Sequence, residues 1–125
     1  MKLRHFALII AFVGALIGCS AGSHFTSLEV DAFGAEIQKP GTQLVDVRTP
    51  AEYNSAHIPG AINIDVTADD FEQNIRVLNK KQPVAVYCRS GRRSKIASEE
   101  LVKLGYTNVK EFGGIIDWPY EVVVE

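Results

Sequence analysis

Cysteine is scarce in this chain: 125 residues hold two, Cys19 and Cys88, far apart in sequence. Two thiols cannot build the multi-bridge framework on which small exported domains rely. No Cys/His spacing of the zinc type surrounds either one, and nothing calls for a metal or another cofactor. Positive charge is not in excess either. Thirteen Lys and Arg stand against 15 Asp and Glu, a net charge of −2. A mildly acidic chain is a poor nucleic-acid binder, so no nucleic-acid partner is expected. There is no internal repeat. The uninterrupted apolar stretch at 6–17 is too short to span a bilayer comfortably.

What is present is concentrated around Cys88. A short apolar, β-branched run, Pro83-Val84-Ala85-Val86-Tyr87, delivers the cysteine into Cys88-Arg89-Ser90-Gly91-Arg92-Arg93, and a helical pattern begins near Ser94. A thiol between a strand end and a helix start lies beneath unpaired amide N–H groups and the positive end of the helix dipole. Arg89, Arg92, Arg93 and Lys95 add four cations within seven residues. Both features favour the thiolate over the thiol, and the thiolate is the nucleophile. A cationic loop on an acidic body points to a small anionic substrate.

The chain resembles the rhodanese (sulfurtransferase) family. The resemblance rests on Leu44-Val45-Asp46-Val47-Arg48-Thr49-Pro50-Ala51-Glu52-Tyr53, on His57-Ile58-Pro59-Gly60-Ala61-Ile62-Asn63-Ile64 and on the Cys88 loop. A weaker match is Gly105-Tyr106 followed by Phe112-Gly113-Gly114-Ile115-Ile116-Asp117-Trp118. The resemblance implies a five-stranded parallel sheet flanked by helices. It also implies transfer of a sulfane sulfur from thiosulfate or a similar anionic donor to a thiol or cyanide acceptor, through a Cys88 persulfide. Successive amides from Arg89 to Arg93 would form a nest around that anion, with Gly91 permitting the turn. Arg89 and Arg92 are expected to guide the donor. Arg93 is expected to turn back onto Asp46 or Glu52. Ser94 reads as an N-cap or a loop-bracing hydroxyl.

Other residues are expected to support the site. Asp46 ends an apolar strand, where an unpaired carboxylate would be costly. Arg48 and Glu52 are expected to pair with each other. His57 belongs to a structural turn, and Trp118 and Tyr120 to packing. Two rivals remain within the fold. Phosphatase or arsenate reductase relatives use a loop one residue longer, with arginine at the seventh position; here the sixth is Arg93 and the seventh Ser94. The other rival is a redox or sulfur-carrier binding module.

The N-terminus reads as a targeting segment, 1–18: a positive Met1-Lys2-Leu3-Arg4-His5, the apolar stretch, then Leu16-Ile17-Gly18-Cys19. The last four residues resemble the bacterial lipoprotein box, which would make Cys19 a lipid attachment site. The chain would then be held to a membrane in the bacterial cell envelope, facing the periplasm or exterior. The alternative is ordinary secretion after Ala21, giving a soluble periplasmic protein. A disulfide to Cys88 would consume the nucleophile and tie a tether to the loop, so Cys88 is expected to be free. Residues 19–24 read as the tether and 25–125 as one domain. Without Lys2 and Arg4 the remainder carries 11 basic and 15 acidic residues, a net charge of −4.

Along the domain, apolar strands alternate with amphipathic helices, which argues for a parallel α/β sheet covered on both faces. Strands are expected at 25–28, 43–47, 61–64, 83–87 and 109–112. Helices are expected over Val30 to Ile37, with Val30, Phe33, Ala35 and Ile37 inward, at Thr49–Tyr53, over Asp69 to Leu78, from Ser94 to Leu104, and around Ile115–Trp118. The long fourth helix is expected to bury Ile96, Ala97, Leu101 and Leu104 and to close on Gly105.

Overall fold

The structure, a computed structural model, describes residues 24–125. The expected targeting segment, Cys19 and most of the tether lie outside the described residues. Five strands form one parallel sheet: β1 (Thr26–Leu28), β2 (Gln43–Asp46), β3 (Ile62–Asn63), β4 (Val84–Tyr87) and β5 (Val109–Phe112), in the spatial order β1-β5-β4-β2-β3. Between them run α1 (Val30–Ile37), α2 (Pro50–Ser55), α3 (Phe71–Ile75) and α4 (Arg92–Lys103), and a single 3-10 turn, Ile115–Asp117, follows β5.

Strand β4 is central, and all four of its residues are buried. That is why it reads as an unbroken apolar run: a parallel strand covered on both faces has no polar side to alternate with. On one face, Val45, Val84 and Val86 meet Phe71 and Ile75 of α3 and Ala97 and Leu101 of α4. On the other, Leu44, Ala85 and Tyr87 meet Phe33 of α1, with Ile58, Phe112 and half-buried Trp118. The rings of Phe33 and Phe112 stack at 5.2 Å. The carboxyl ends of β2 and β4 lie side by side, with Asp46 opposite Tyr87. Residues following these two strands therefore emerge together, where open parallel sheets present their sites.

Three helices depart from expectation in detail. Ala35 of α1 is exposed and Glu36 is buried in its place. The carboxylate is tolerated because Lys39 and Lys110 reach it at 3.0 and 3.1 Å. Burial works to raise its pKa, but the two ammonium groups outweigh that and hold it low. Helix α3 is shorter than 69–78: it starts at Phe71, after Asp70, which makes no side-chain cap, and ends at Ile75. After Ile75 the chain tightens into i to i−3 bonds that still bury Leu78. Helix α4 starts at Arg92, capped by the backbone of Gly91 at φ +117° rather than by Ser94. Its inward stripe is Ser94, Ala97, Ser98 and Leu101, the i, i+3, i+4, i+7 set. That stripe leaves Ile96 42% exposed.

Candidate active site

The six-residue stretch Cys88–Arg93 runs from the end of β4 into the first turn of α4. Cys88 is a free cysteine, 1% exposed, at the bottom of the loop. The Gly91 amide donates to its Sγ at 3.0 Å, and Sγ lies 3.7 Å from the Gly113 carbonyl oxygen. Sulfur thus has a fixed N–H donor on one side and a carbonyl acceptor for an S–H on the other. Arg89, Ser90 and Arg92, which follow this buried sulfur in the chain, are exposed.

Arg93 is committed elsewhere. Its Nη1 and Nη2 grip Glu52 Oε1 and Oε2 at 2.7 and 3.0 Å, a bidentate ion pair. Of the two carboxylates considered for Arg93, the partner is Glu52. The α2 cap presents it: Thr49 and Glu52 form a capping box, with Pro50 in the first turn. The Arg93 hydrogen bond holds the Glu52 carboxyl down at about 2, with Thr49 assisting against burial. Arg93 is correspondingly raised, chiefly by Glu52, with the charge of Cys88 a smaller contributor.

Arg48 does not pair with Glu52, as had been expected. It folds back on Asp46, with Nη2 at 2.7 Å from Oδ2 and the Arg48 backbone amide donating to Oδ1 at 2.9 Å. Both residues are buried, and Arg48 Nη2 also donates to the Ala56 carbonyl at 2.6 Å. Asp46 is thus matched by a fork of donors, which is what makes its burial tolerable. Glu52 was unavailable to Arg48 because the capping box turns it toward the loop. Arg48 also lies 5.8 Å over the Tyr87 ring. The Tyr87 hydroxyl accepts the Ile58 amide at 2.9 Å, and burial pushes its pKa far up.

The chain after β5 forms the roof of the loop. Ile115 and Ile116 amides donate to the carbonyls of Cys88 and Arg89 at 2.9 and 3.2 Å. Gly114 sits at φ +151°, and a Cβ there would collide with the Arg89 carbonyl. Ser94 is buried, with Oγ 3.0 Å from the Gly91 carbonyl and 2.6 Å from Glu111 Oε1. In the sequence Gly114 stands out only as part of a weak motif, and Glu111 does not stand out at all. The available signal was a charged pair, Lys110-Glu111, inside a four-residue strand.

The remaining expected residues stand apart. His57 stacks on Tyr53 at 3.7 Å, and its Nδ1 lies 2.9 Å from the Tyr53 carbonyl. Its backbone pairs with Val123. Trp118 packs edge-on against Phe33, and the exposed Tyr120 donates to Asp31 at 2.6 Å. The two rings border a groove of about 420 Å³ whose lining includes no residue of the Cys88 loop.

Residues 29–119 match the family model described as the Rhodanese-like domain. The thiosulfate sulfurtransferase GlpE of Tolumonas auensis is 33% identical over 107 residues, covering 82% of this chain and 99% of that protein. The thiosulfate sulfurtransferase PspE of Escherichia coli is 41% identical over 73 residues, covering 58% of this chain and 70% of that protein. Among solved structures, a rhodanese-related protein from Thermoplasma volcanium superposes with a TM-score of 0.70 at 31% identity, covering 80% of this chain and 99% of the other.

Proposed function

The chain belongs to the rhodanese-like domain family, and on that premise we propose that it is a sulfurtransferase whose carrier is Cys88. The observation that carries the reading is the Gly91 amide aimed at Cys88 Sγ from 3.0 Å inside a loop that carries the exposed Arg89 and Arg92. An N–H fixed on sulfur, with cations on the same loop, stabilises an anion at that atom and attracts an anionic donor.

In the first half-reaction the Cys88 thiolate attacks the outer sulfur of thiosulfate. A Cys88 S–S bond forms while the donor's S–S bond breaks. Sulfite departs with that bond's electron pair, leaving an anionic persulfide. In the second, a thiolate or cyanide attacks the outer sulfur and the electron pair returns to Cys88. The persulfide becomes the acceptor's persulfide or thiocyanate, and the thiolate is restored. This is ping-pong, covalent catalysis. Arg89 and Arg92 meet the donor's oxygens, and Ser90 and Gly91 supply backbone to the nest. Arg93 holds the loop through Glu52, and Asp46, Arg48 and Ser94 are supports. A six-residue loop whose inner arginine is committed to Glu52 suits a single sulfur better than a tetrahedral phosphate.

Steady-state thiocyanate release from thiosulfate and cyanide tests the reading. Double-reciprocal lines that stay parallel as the second substrate varies are expected. A persulfide that forms but is not passed on would make the chain a carrier module, and phosphatase turnover without sulfur transfer would overturn the assignment.

We further propose that Cys19 carries lipid and holds the domain at the bacterial cell envelope. The support is the Leu16-Ile17-Gly18-Cys19 order after the apolar stretch.

A further inference from the structure

Glu111 is a buried charge that the sulfur-transfer steps do not use. It is 1% exposed on β5, with Oε1 2.6 Å from Ser94 Oγ and Oε2 3.2 Å from Lys95 Nζ. The same Ser94 hydroxyl lies 3.0 Å from the Gly91 carbonyl, and the Gly91 amide is the donor to Cys88 Sγ. Resting on the reading of Cys88 as the reactive thiolate, we propose that Glu111 is a positioning residue: through Ser94 it fixes the Gly91 turn so that the amide stays aimed at sulfur.

Gly91 needs an external hold. It caps α4 at φ +117° with no side-chain cap, and glycine is the residue with the most backbone freedom to lose. The loop's donor to sulfur is thus carried on its loosest residue. The Gly91 carbonyl accepts the Lys95 amide only at 3.4 Å, and the Ser94 hydroxyl adds a shorter hold, 3.0 Å, from inside the helix. With Glu111 ion-paired to Lys95, the one hydroxyl proton is shared between Glu111 and the Gly91 carbonyl as a three-centre bond. A buried ion pair is a weak source of stability, and an apolar side chain in its place would cost less desolvation. Its use here is orientation.

Charge and position pull in opposite directions, which makes the idea testable. Glu111 faces Lys95 and Ser94 on α4 and pairs in register with Ser27 on β1, while Glu29 and Asp117 line the hollow beside it. Its neighbour Lys110 turns to Glu36. Arg89 and Arg92 are exposed on the loop of Cys88, Arg93 is held by Glu52, and Asp46 is held by Arg48. As a bare negative charge, Glu111 would oppose the thiolate, so its removal would raise the thiolate fraction. As a positioning residue, its removal lowers that fraction.

The test is the pH dependence of iodoacetamide alkylation of Cys88 in the folded full chain, a readout independent of sulfur transfer. Ser94→Ala and Glu111→Ala are each expected to shift the midpoint to higher pH, leaving about tenfold less thiolate at a fixed pH below it. The double variant should be no worse than either single one, since both remove the same clamp. Glu111→Gln keeps an acceptor for Ser94 and should not move the midpoint upward. A midpoint that stays put or falls in Ser94→Ala would overturn the proposal, as would additive shifts in the double variant. If Glu111→Ala does not fold, Glu111→Met, which fills the space without an acceptor for Ser94, takes its place with the same expected shift. Shifted midpoints in a protein that transfers no sulfur would leave the clamp standing and defeat the proposed function instead.

Discussion

Arg93 and Glu52 meet across 41 positions of chain in a bidentate pair, 2.7 and 3.0 Å. The pair fastens the end of the sulfur-binding loop to the first turn of α2. Arg93, in the first turn of α4, is therefore spent on holding the loop, and under the proposed function the anion falls to the backbone and to the exposed Arg89 and Arg92.

This pair sets a pH dependence. The Glu52 carboxyl is held at about 2 against an ordinary 4.5. A depressed carboxyl contributes stability that is present above its unfolded value and lost as pH falls through its folded one. The stability difference between wild type and Glu52→Gln should be about 1–3 kcal/mol near pH 7, discounted for partial exposure. It should shrink between about pH 4.5 and pH 2. Urea unfolding of both proteins across that range measures it, and a constant difference would show that the ion pair contributes nothing.

Arg89→Ala and Arg92→Ala should act on binding. Under the proposed function each removes a charge that would meet a dianionic donor, and one charge-assisted contact is worth about tenfold or more in affinity. KM for thiosulfate should rise while kcat changes little. Two variants with wild-type KM would make these arginines solvated surface charge.

Gly114→Ala should damage the loop from its roof. Positive φ and a collision with the Arg89 carbonyl leave a methyl no place without moving the 113–116 segment. Destabilisation of about 2 kcal/mol or more is expected, with loss of sulfur transfer. A thermal unfolding midpoint equal to wild type would contradict the close approach.

How much of this was legible in the sequence varies residue by residue. The central strand was readable because Val84 to Tyr87 is apolar throughout, and the α2 start because Thr49 and Pro50 suit the cap and first helical positions; that Glu52 completes the cap emerged only with the structure. Cys88 and its cations were contiguous, so the loop announced itself. Pairings between distant segments were legible only in part: Arg93 pointed to Asp46 or Glu52 with no choice between them, and Glu52 is the partner. Arg48 was matched to Glu52 by proximity in chain, whereas the fold gives Arg48 to Asp46 and Glu52 to Arg93. Ser94 reads as a cap or a loop brace because hydroxyls do both; Gly91 at positive φ takes the cap position three residues earlier, and Ser94 braces the loop through the Gly91 carbonyl. Glu111 carried no local signal of its partner, because Ser94 and Lys95 reach it only once α4 packs beside β5.

The proposed anchor makes its own prediction. Cys19→Ala should release the protein from membranes or block its processing while leaving the specific activity of the isolated domain unchanged, because two or more acyl chains anchor stably and one does so only marginally. Metabolic labelling with a fatty acid that fails to mark the wild-type chain would favour ordinary secretion.

The central claim is that Cys88 carries sulfur. The most direct measurement is intact mass after thiosulfate treatment, on wild type and Cys88→Ser, followed by cyanide. Wild type should gain the mass of one sulfur atom, localised to the Cys88 peptide, and lose it as thiocyanate forms. Cys88→Ser, nearly isosteric in a loop held by backbone bonds, should fold normally and gain nothing. A wild-type protein that takes up no sulfur, or a Cys88→Ser variant that still turns over, would contradict the account.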